Sequence, residues 1–159
     1  MRKALGFLAL AVALATLASQ KPALADDAAT INACLQTERT TNRSGRDCVG
    51  RISDPCLKLS GNESTQGMVE CVDSETKVWD NLLNADYQRV LGAVGTKAAE
   101  SIRQSERAWI ALRDADCGVP YEIYEGGTMA RIDGASCVLE RTAERVLQLR
   151  VWYEMAHPE

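Results

Sequence analysis

Six cysteines constrain the fold of this 159-residue chain more than any other feature. Their number is even, no CxxC pair occurs, and the single histidine, His157, lies two residues from the end, so disulfides are favoured over a zinc site. Paired in sequence order, the cysteines enclose about 13 to 19 residues, the length of a turn with part of two helices. Among the fifteen possible connectivities the spacing therefore favours Cys34–Cys48, Cys56–Cys71 and Cys117–Cys137.

The first 25 residues have the order of a secretory signal peptide. Arg2 and Lys3 precede an apolar run over residues 4–18, and Ala-Leu-Ala at 23–25 is a small-residue cleavage site. The apolar run is shorter than the roughly 20 residues of a spanning helix, which argues against a membrane anchor. We expect cleavage before Asp26 and a soluble protein in the periplasm or outside the cell, where disulfides persist.

Removal of residues 1–25 takes away three basic residues and no acidic one, which changes the net charge from −4 to −7. An acidic chain without a basic stripe is a poor partner for nucleic acid or anionic lipid. It would be attracted to a cationic partner, although the same charge also serves simply to keep a protein soluble.

A long amphipathic helix is predicted over residues 64–94. Apolar side chains recur there three and four positions apart, and Ser64 or Thr65 can cap the N terminus. Gly95-Thr96 is expected to end this helix and to cap the next one.

Two further long helices follow in the sequence. The second is predicted over 97–118 and is expected to stop at Gly-Val-Pro, residues 118–120. Residues 121–127 form a connection rich in tyrosine and glutamate, after which Thr128 is expected to cap a last helix over 129–155.

The segment before residue 56 predicts two shorter helices, at 26–41 and 48–56, separated by a polar break. No segment alternates with a period of two for long enough to form a strand. The sequence thus predicts an all-α protein: an antiparallel bundle of three long helices with two short N-terminal helices across it. The expected divisions are a signal peptide at 1–25, an N-terminal helical extension at 26–55 and a helical domain at 56–155.

The residues offer no combination typical of an enzyme or a cofactor site. A nucleophilic serine or cysteine needs a nearby base, and the only histidine lies in the C-terminal tail. Asp114 and Asp116 would point to different faces of a helix, and Glu122 with Glu125 is more typical of a solvated connection. Gly126-Gly127-Thr128 lacks the lysine of a phosphate-binding loop. We therefore predict no catalytic residue, no metal and no cofactor.

An ordered series of motifs resembles the LprI-type lysozyme-inhibitor domain over about residues 56–150. The motifs are Met68-x-x-Cys71, Trp79-Asp80-x-x-Leu83-Asn84-x-x-Tyr87, Gln104-x-x-x-x-Trp109-x-x-x-Arg113-Asp114-x-x-Cys117, Gly126-Gly127-Thr128, Cys137 and Thr142-x-x-Arg145. The resemblance implies a helical envelope domain with Cys56–Cys71 and Cys117–Cys137 as disulfides. Lipoprotein members carry a cysteine directly after the cleavage site, whereas Asp26 stands there in this chain.

Two functions remain as hypotheses, with an enzyme acting on cell-wall polymer as the least favoured third. The resemblance implies an inhibitor that binds a muramidase such as a basic lysozyme. The alternative is a periplasmic adaptor that binds another envelope protein through a helix face. For the inhibitor, the tyrosines and glutamates of the acidic connection are candidate partner contacts, although such a connection can also merely cover the bundle end. These residues are Tyr121, Glu122, Tyr124 and Glu125.

Overall fold

A computed structural model describes residues 23–157 of the chain, with side chains from Asp26 onward. The basic start and apolar run of the predicted signal peptide lie outside the described residues. Within residues 23–157 every regular element is helical, which confirms the all-α class. The elements are α1 (Ala23–Thr40), a 3₁₀ turn at Arg46–Cys48, α2 (Ser53–Leu57), α3 (Thr65–Ala93), α4 (Thr96–Ile123) and α5 (Thr128–Ala156).

Helix α3 begins where the sequence predicts. Ser64 is its N-cap, with extended backbone and a side chain that accepts a hydrogen bond from the Gly67 N–H at 3.1 Å. Such a bond satisfies one of the otherwise unpaired donors of the first helical turn. At the other end Val94 and Gly95 adopt extended conformations, so the chain reverses directly into α4.

The three long helices pack together, with α5 in contact with both α3 and α4. Glu106 pairs with Arg145 and Cys117 bonds Cys137, so α4 and α5 run antiparallel. Asp80 of α3 and Thr142 of α5 line the same groove, and further along both helices Asp86 pairs with Arg150 at 2.6 Å, so α3 and α5 run parallel. Consecutive long helices are antiparallel, as expected from their short connections.

The buried core lies mainly between α3, α5 and the N-terminal segment. Fully buried apolar side chains come from α1, α3 and α5, and include Ile31, Val78, Trp79, Val90, Val146 and Leu149. Ile31 and Leu35 of α1 belong to this cluster, so the N-terminal extension completes the core of the long helices. The disulfides join Cys34 to Cys48, Cys56 to Cys71 and Cys117 to Cys137, the sequential pattern.

A buried carboxylate fixes the segment between α1 and α3. Glu75 is 0% exposed and accepts hydrogen bonds from the backbone N–H groups of Gly50, Ile52 and Ser53 at 2.7–3.0 Å. It also accepts bonds from the Ser53 hydroxyl and from Trp79 Nε1. A buried charge is tolerated when its lone pairs are satisfied in this way, so one α3 side chain holds the chain that precedes α2.

The predicted short helix at 48–56 is wrong in its extent. The chain instead forms the 3₁₀ turn at Arg46–Cys48 and the separate α2. Gly50 lies between them with a φ of 90°, in the left-handed region that glycine adopts without strain. This residue interrupts the helical path, and the carboxylate of Glu75 then binds the freed N–H groups.

The second long helix does not stop at residues 118–120. Helix α4 contains Pro120 and continues to Ile123, so Tyr121 and Glu122 are helical and do not belong to a loop. Proline removes one backbone hydrogen bond but has a helical φ, and contacts with α5 hold the extra turn. Thr128 is also not the cap that the sequence predicts: Gly127 is the N-cap of α5, and Thr128 is its first residue.

Candidate partner-binding surface

The predicted contact residues lie together at the α4–α5 turn, defined here as residues 121–127, which comprise the last three residues of α4 and the connection to α5. Tyr124 follows the last residue of α4, and its N–H donates to the Pro120 carbonyl at 3.0 Å. Glu125 and Gly126 have φ values of 50° and 75°, which reverse the chain in two residues. The N–H groups of Gly126 and Gly127 donate to the carbonyls of Tyr121 and Tyr124 at 2.9 and 2.8 Å. The turn is therefore closed by its own backbone.

Tyr121 is held against α5 while part of its ring remains exposed. Its exposed fraction is 45%, and a Cβ placed on Gly134 would lie 2.5 Å from Tyr121 Cε2. A side chain at position 134 would require the Tyr121 ring to shift, so glycine there permits the present position of the ring. The Cys117–Cys137 disulfide fixes the same two helices about one turn further into the bundle. Tyr121 is thus a positioned aromatic side chain.

The pKa of Tyr124 is influenced by an acid from α5. A hydrogen bond to the Asp133 carboxylate and the negative charge of that group raise the pKa of Tyr124 above its ordinary value of 10.0. Its ring is 43% exposed.

The surroundings of the two tyrosines are acidic and apolar. Glu122 and Glu125 are exposed, and residues 121–130 contain no lysine or arginine. Large apolar side chains flank the turn and are also exposed, namely Val119, Ile123 and Met129. Two exposed aromatic rings thus lie beside carboxylates and apolar side chains at one end of the bundle.

The turn does not carry the groups of a hydrolase site. His157 stacks on Tyr153 at the opposite end of α5, about 40 Å away for a helix of this length. Between residues 23 and 157 no group of three metal-binding side chains comes together. Arg113 pairs with Asp114 at 2.8 Å, a contact within α4.

A polar groove that the sequence did not predict lies between the long helices. It has a volume of about 360 Å³, and Thr142 Oγ1 beside it is buried with no hydrogen-bond partner in the described part of the chain. The lining includes three residues from separate sequence motifs, Asp80, Arg113 and Thr142. Their positions span about 60 residues of sequence, so only the packing of the helices could reveal that they meet.

A model of the lysozyme inhibitor LprI family matches residues 56–149. This match spans more than half of the chain. The chain belongs to the LprI family. The match begins within α2 and ends near the C terminus of α5, so it includes both the α4–α5 turn and the polar groove.

An uncharacterized protein of Rhizobium meliloti (strain 1021) is 27% identical to the chain over 99 residues, which cover 54% of this chain and 71% of the relative. No solved structure matches. The LprI family is an inhibitor family, and helix α1 lies outside the matched region although its side chains complete the core. Among the described residues no helix is both long and apolar enough to cross a membrane.

Proposed function

We propose that the protein is exported and that it binds and blocks a muramidase of the lysozyme type. The observation that carries this proposal is the match of residues 56–149 to the lysozyme inhibitor LprI family. The signal-like first 25 residues and the three disulfides support export to the periplasm or the medium. N-terminal sequencing of the exported chain should give Asp26, and recovery of the unprocessed chain in the membrane pellet would contradict export.

We place the contact at the α4–α5 turn. Tyr121 and Tyr124 are exposed, and they lie beside Gly134 and Asp133 of α5, so their rings are available for contact with a partner. Glu122 and Glu125 beside them supply negative charge toward a basic enzyme. Attraction of this kind raises the association rate and weakens as salt screens the charges.

The test is residual c-type lysozyme activity with increasing amounts of the oxidised protein. We expect inhibition that saturates near one equivalent at low salt and weakens toward physiological ionic strength. The double variant Glu122→Lys/Glu125→Lys should inhibit at least tenfold less well. Asp73→Lys/Glu140→Lys is the matched control, because it makes the same charge change at exposed positions within α3 and α5 and should retain inhibition.

The alternative is an adaptor that binds another envelope protein. If a stoichiometric excess of the protein leaves lysozyme fully active at low salt, the inhibitor proposal fails and the adaptor takes its place. A pull-down from periplasmic extract with and without added lysozyme then separates the two. If the two charge-reversal variants lose inhibition equally, the protein is an inhibitor but the contact lies elsewhere.

A further inference from the structure

Helix α4 has an uncharged face along almost its whole length that the other helices leave exposed. The positions recur three and four residues apart, as they must on one side of a helix. Within residues 23–157 all of them are exposed except half-buried Ser105. This α4 face consists of Ala98, Ser101, Ser105, Ala108, Leu112, Ala115, Val119 and Ile123.

The first half of the α4 face borders a groove. Small residues of α4 and the end of α5 enclose a mainly apolar space of about 950 Å³. Ala98, Ser101 and Ser105 line it on one side, and Trp152 and Met155 line it on the other. Met155 is 73% exposed, so the groove opens to solvent beside an apolar side chain that nothing in the described part of the chain covers.

The second half of the same face is a ridge of large apolar side chains. Leu112, Val119 and Ile123 are exposed by 60%, 49% and 67%. Groove and ridge follow one another along one helix of 28 residues, which is about 42 Å long. Exposed apolar surface on this scale is uncommon on a protein that stays monomeric.

We infer that two copies of the chain associate through their α4 faces in antiparallel orientation. Antiparallel pairing about position 110 sets Val119 of one copy opposite Ser101 of the other, and Leu112 opposite Ala108. Each ridge then fills the groove of the other copy, and the pair closes with twofold symmetry. Parallel pairing would instead place large residues against large and small against small.

Charge agrees with the antiparallel arrangement. Lys97 and Glu122 lie on the same flank of the α4 face at its two ends, and both are exposed. A twofold axis perpendicular to the helices brings the Lys97 of each copy beside the Glu122 of the other, which gives two opposite-charge contacts. Tyr121 lies on the other side of α4, against Gly134, and remains accessible in the pair.

The association is tested by sedimentation equilibrium of the oxidised chain over a wide concentration series. We expect the mass of two chains for the unmodified protein and of one chain for Val119→Glu, which places a charge in the ridge. Ile110→Glu is the matched control: Ile110 is also large, apolar and 41% exposed on α4, but it lies off the α4 face, so this variant should remain paired. Circular dichroism checks that both variants keep their helix content.

Charge exchange tests the orientation. Lys97→Glu should weaken association several-fold, and Lys97→Glu/Glu122→Lys should restore it, because the reversed charges meet again. A monomer at every concentration, or a dimer that Val119→Glu and Ile110→Glu affect equally, would overturn the inference. A dimer weakened by Lys97→Glu but not restored by the double variant would overturn the antiparallel orientation. Since mass is the readout, these results stand apart from any measurement of lysozyme inhibition.

Discussion

Helix α5 forms two interfaces, called seams here, one with α3 and one with α4. The two seams are stabilised in different ways. Between α3 and α5 the contact is an apolar core around Trp79, Val90 and Leu149, each 0% exposed. Helix α4 buries fewer apolar side chains than α3, and its link to α5 also includes the buried Glu106–Arg145 pair at 2.9 Å and the Cys117–Cys137 disulfide. The ion pair and the disulfide hold α4 in place although only one side of the helix is buried. The comparison explains why both proposed surfaces lie on α4 and on the turn that follows it.

The largest expected effect is the difference in unfolding free energy between two tryptophan truncations, one in each seam. Trp79→Ala should cost about 3–5 kcal/mol of unfolding free energy, because a fully buried ring is lost and Glu75 loses a donor. Trp109 is only half-buried, with Arg113 and Arg145 at 5.0 and 5.6 Å from the centre of its ring. Trp109→Ala should cost about 1–2 kcal/mol.

Urea unfolding with the disulfides intact measures both tryptophan variants under the same conditions. Equal losses would mean that the α4–α5 seam depends on apolar packing as much as the α3–α5 seam does, and the contrast between the two would fail.

The second prediction concerns the buried ion pair of the α4–α5 seam. Arg145 donates to Glu106 and to the Ser105 hydroxyl and lies 4.8 Å from the Trp152 ring. Arg145→Met alone should cost about 3 kcal/mol because it leaves the Glu106 carboxylate buried and unpaired. Glu106→Leu/Arg145→Met should recover most of that loss, since replacing both charges removes the penalty.

Thermal unfolding of the two single variants and the double variant completes the cycle. Additive losses would show that the pair does not act as a unit, and the view of α4 as a helix held by polar links would need revision.

Local sequence signals predicted most of the fold. The cap at Ser64, the three long helices and the all-α class rest on neighbouring residues and a regular apolar period, and these are readable without tertiary contacts. The predicted helix end at Pro120 was wrong because it relied on local residues alone. Tyr121 packs on Gly134 of α5, and this contact between two helices outweighs the local signal. Rules based on neighbouring residues in the sequence cannot predict a contact between different helices.

The candidate site was less predictable than the fold. Tyr121, Glu122, Tyr124 and Glu125 are neighbours in sequence, so their shared position follows from composition alone. What orients them does not, because Asp133 and Gly134 gain their roles only when α5 folds back on α4. The same holds for Glu75, whose partners lie 22 to 25 residues earlier, and for Arg145, whose partner Glu106 lies 39 residues away.

The smallest expected effect is at the α4–α5 turn and tests whether Asp133 positions Tyr124. The hydrogen bond to Asp133 and its negative charge favour the neutral phenol, so the folded pKa lies above the ordinary value of 10.0. The bond therefore contributes to stability below pH 10.0, and this contribution disappears as the pH rises through the folded pKa. Because Tyr124 is exposed, the main readout is the titration itself. Absorbance of the phenolate should show one tyrosine titrating later than in Asp133→Asn, where the charge is gone. An unchanged titration curve in Asp133→Asn would mean that Asp133 does not hold the ring, and Tyr124 would then bind a partner only after losing its side-chain freedom.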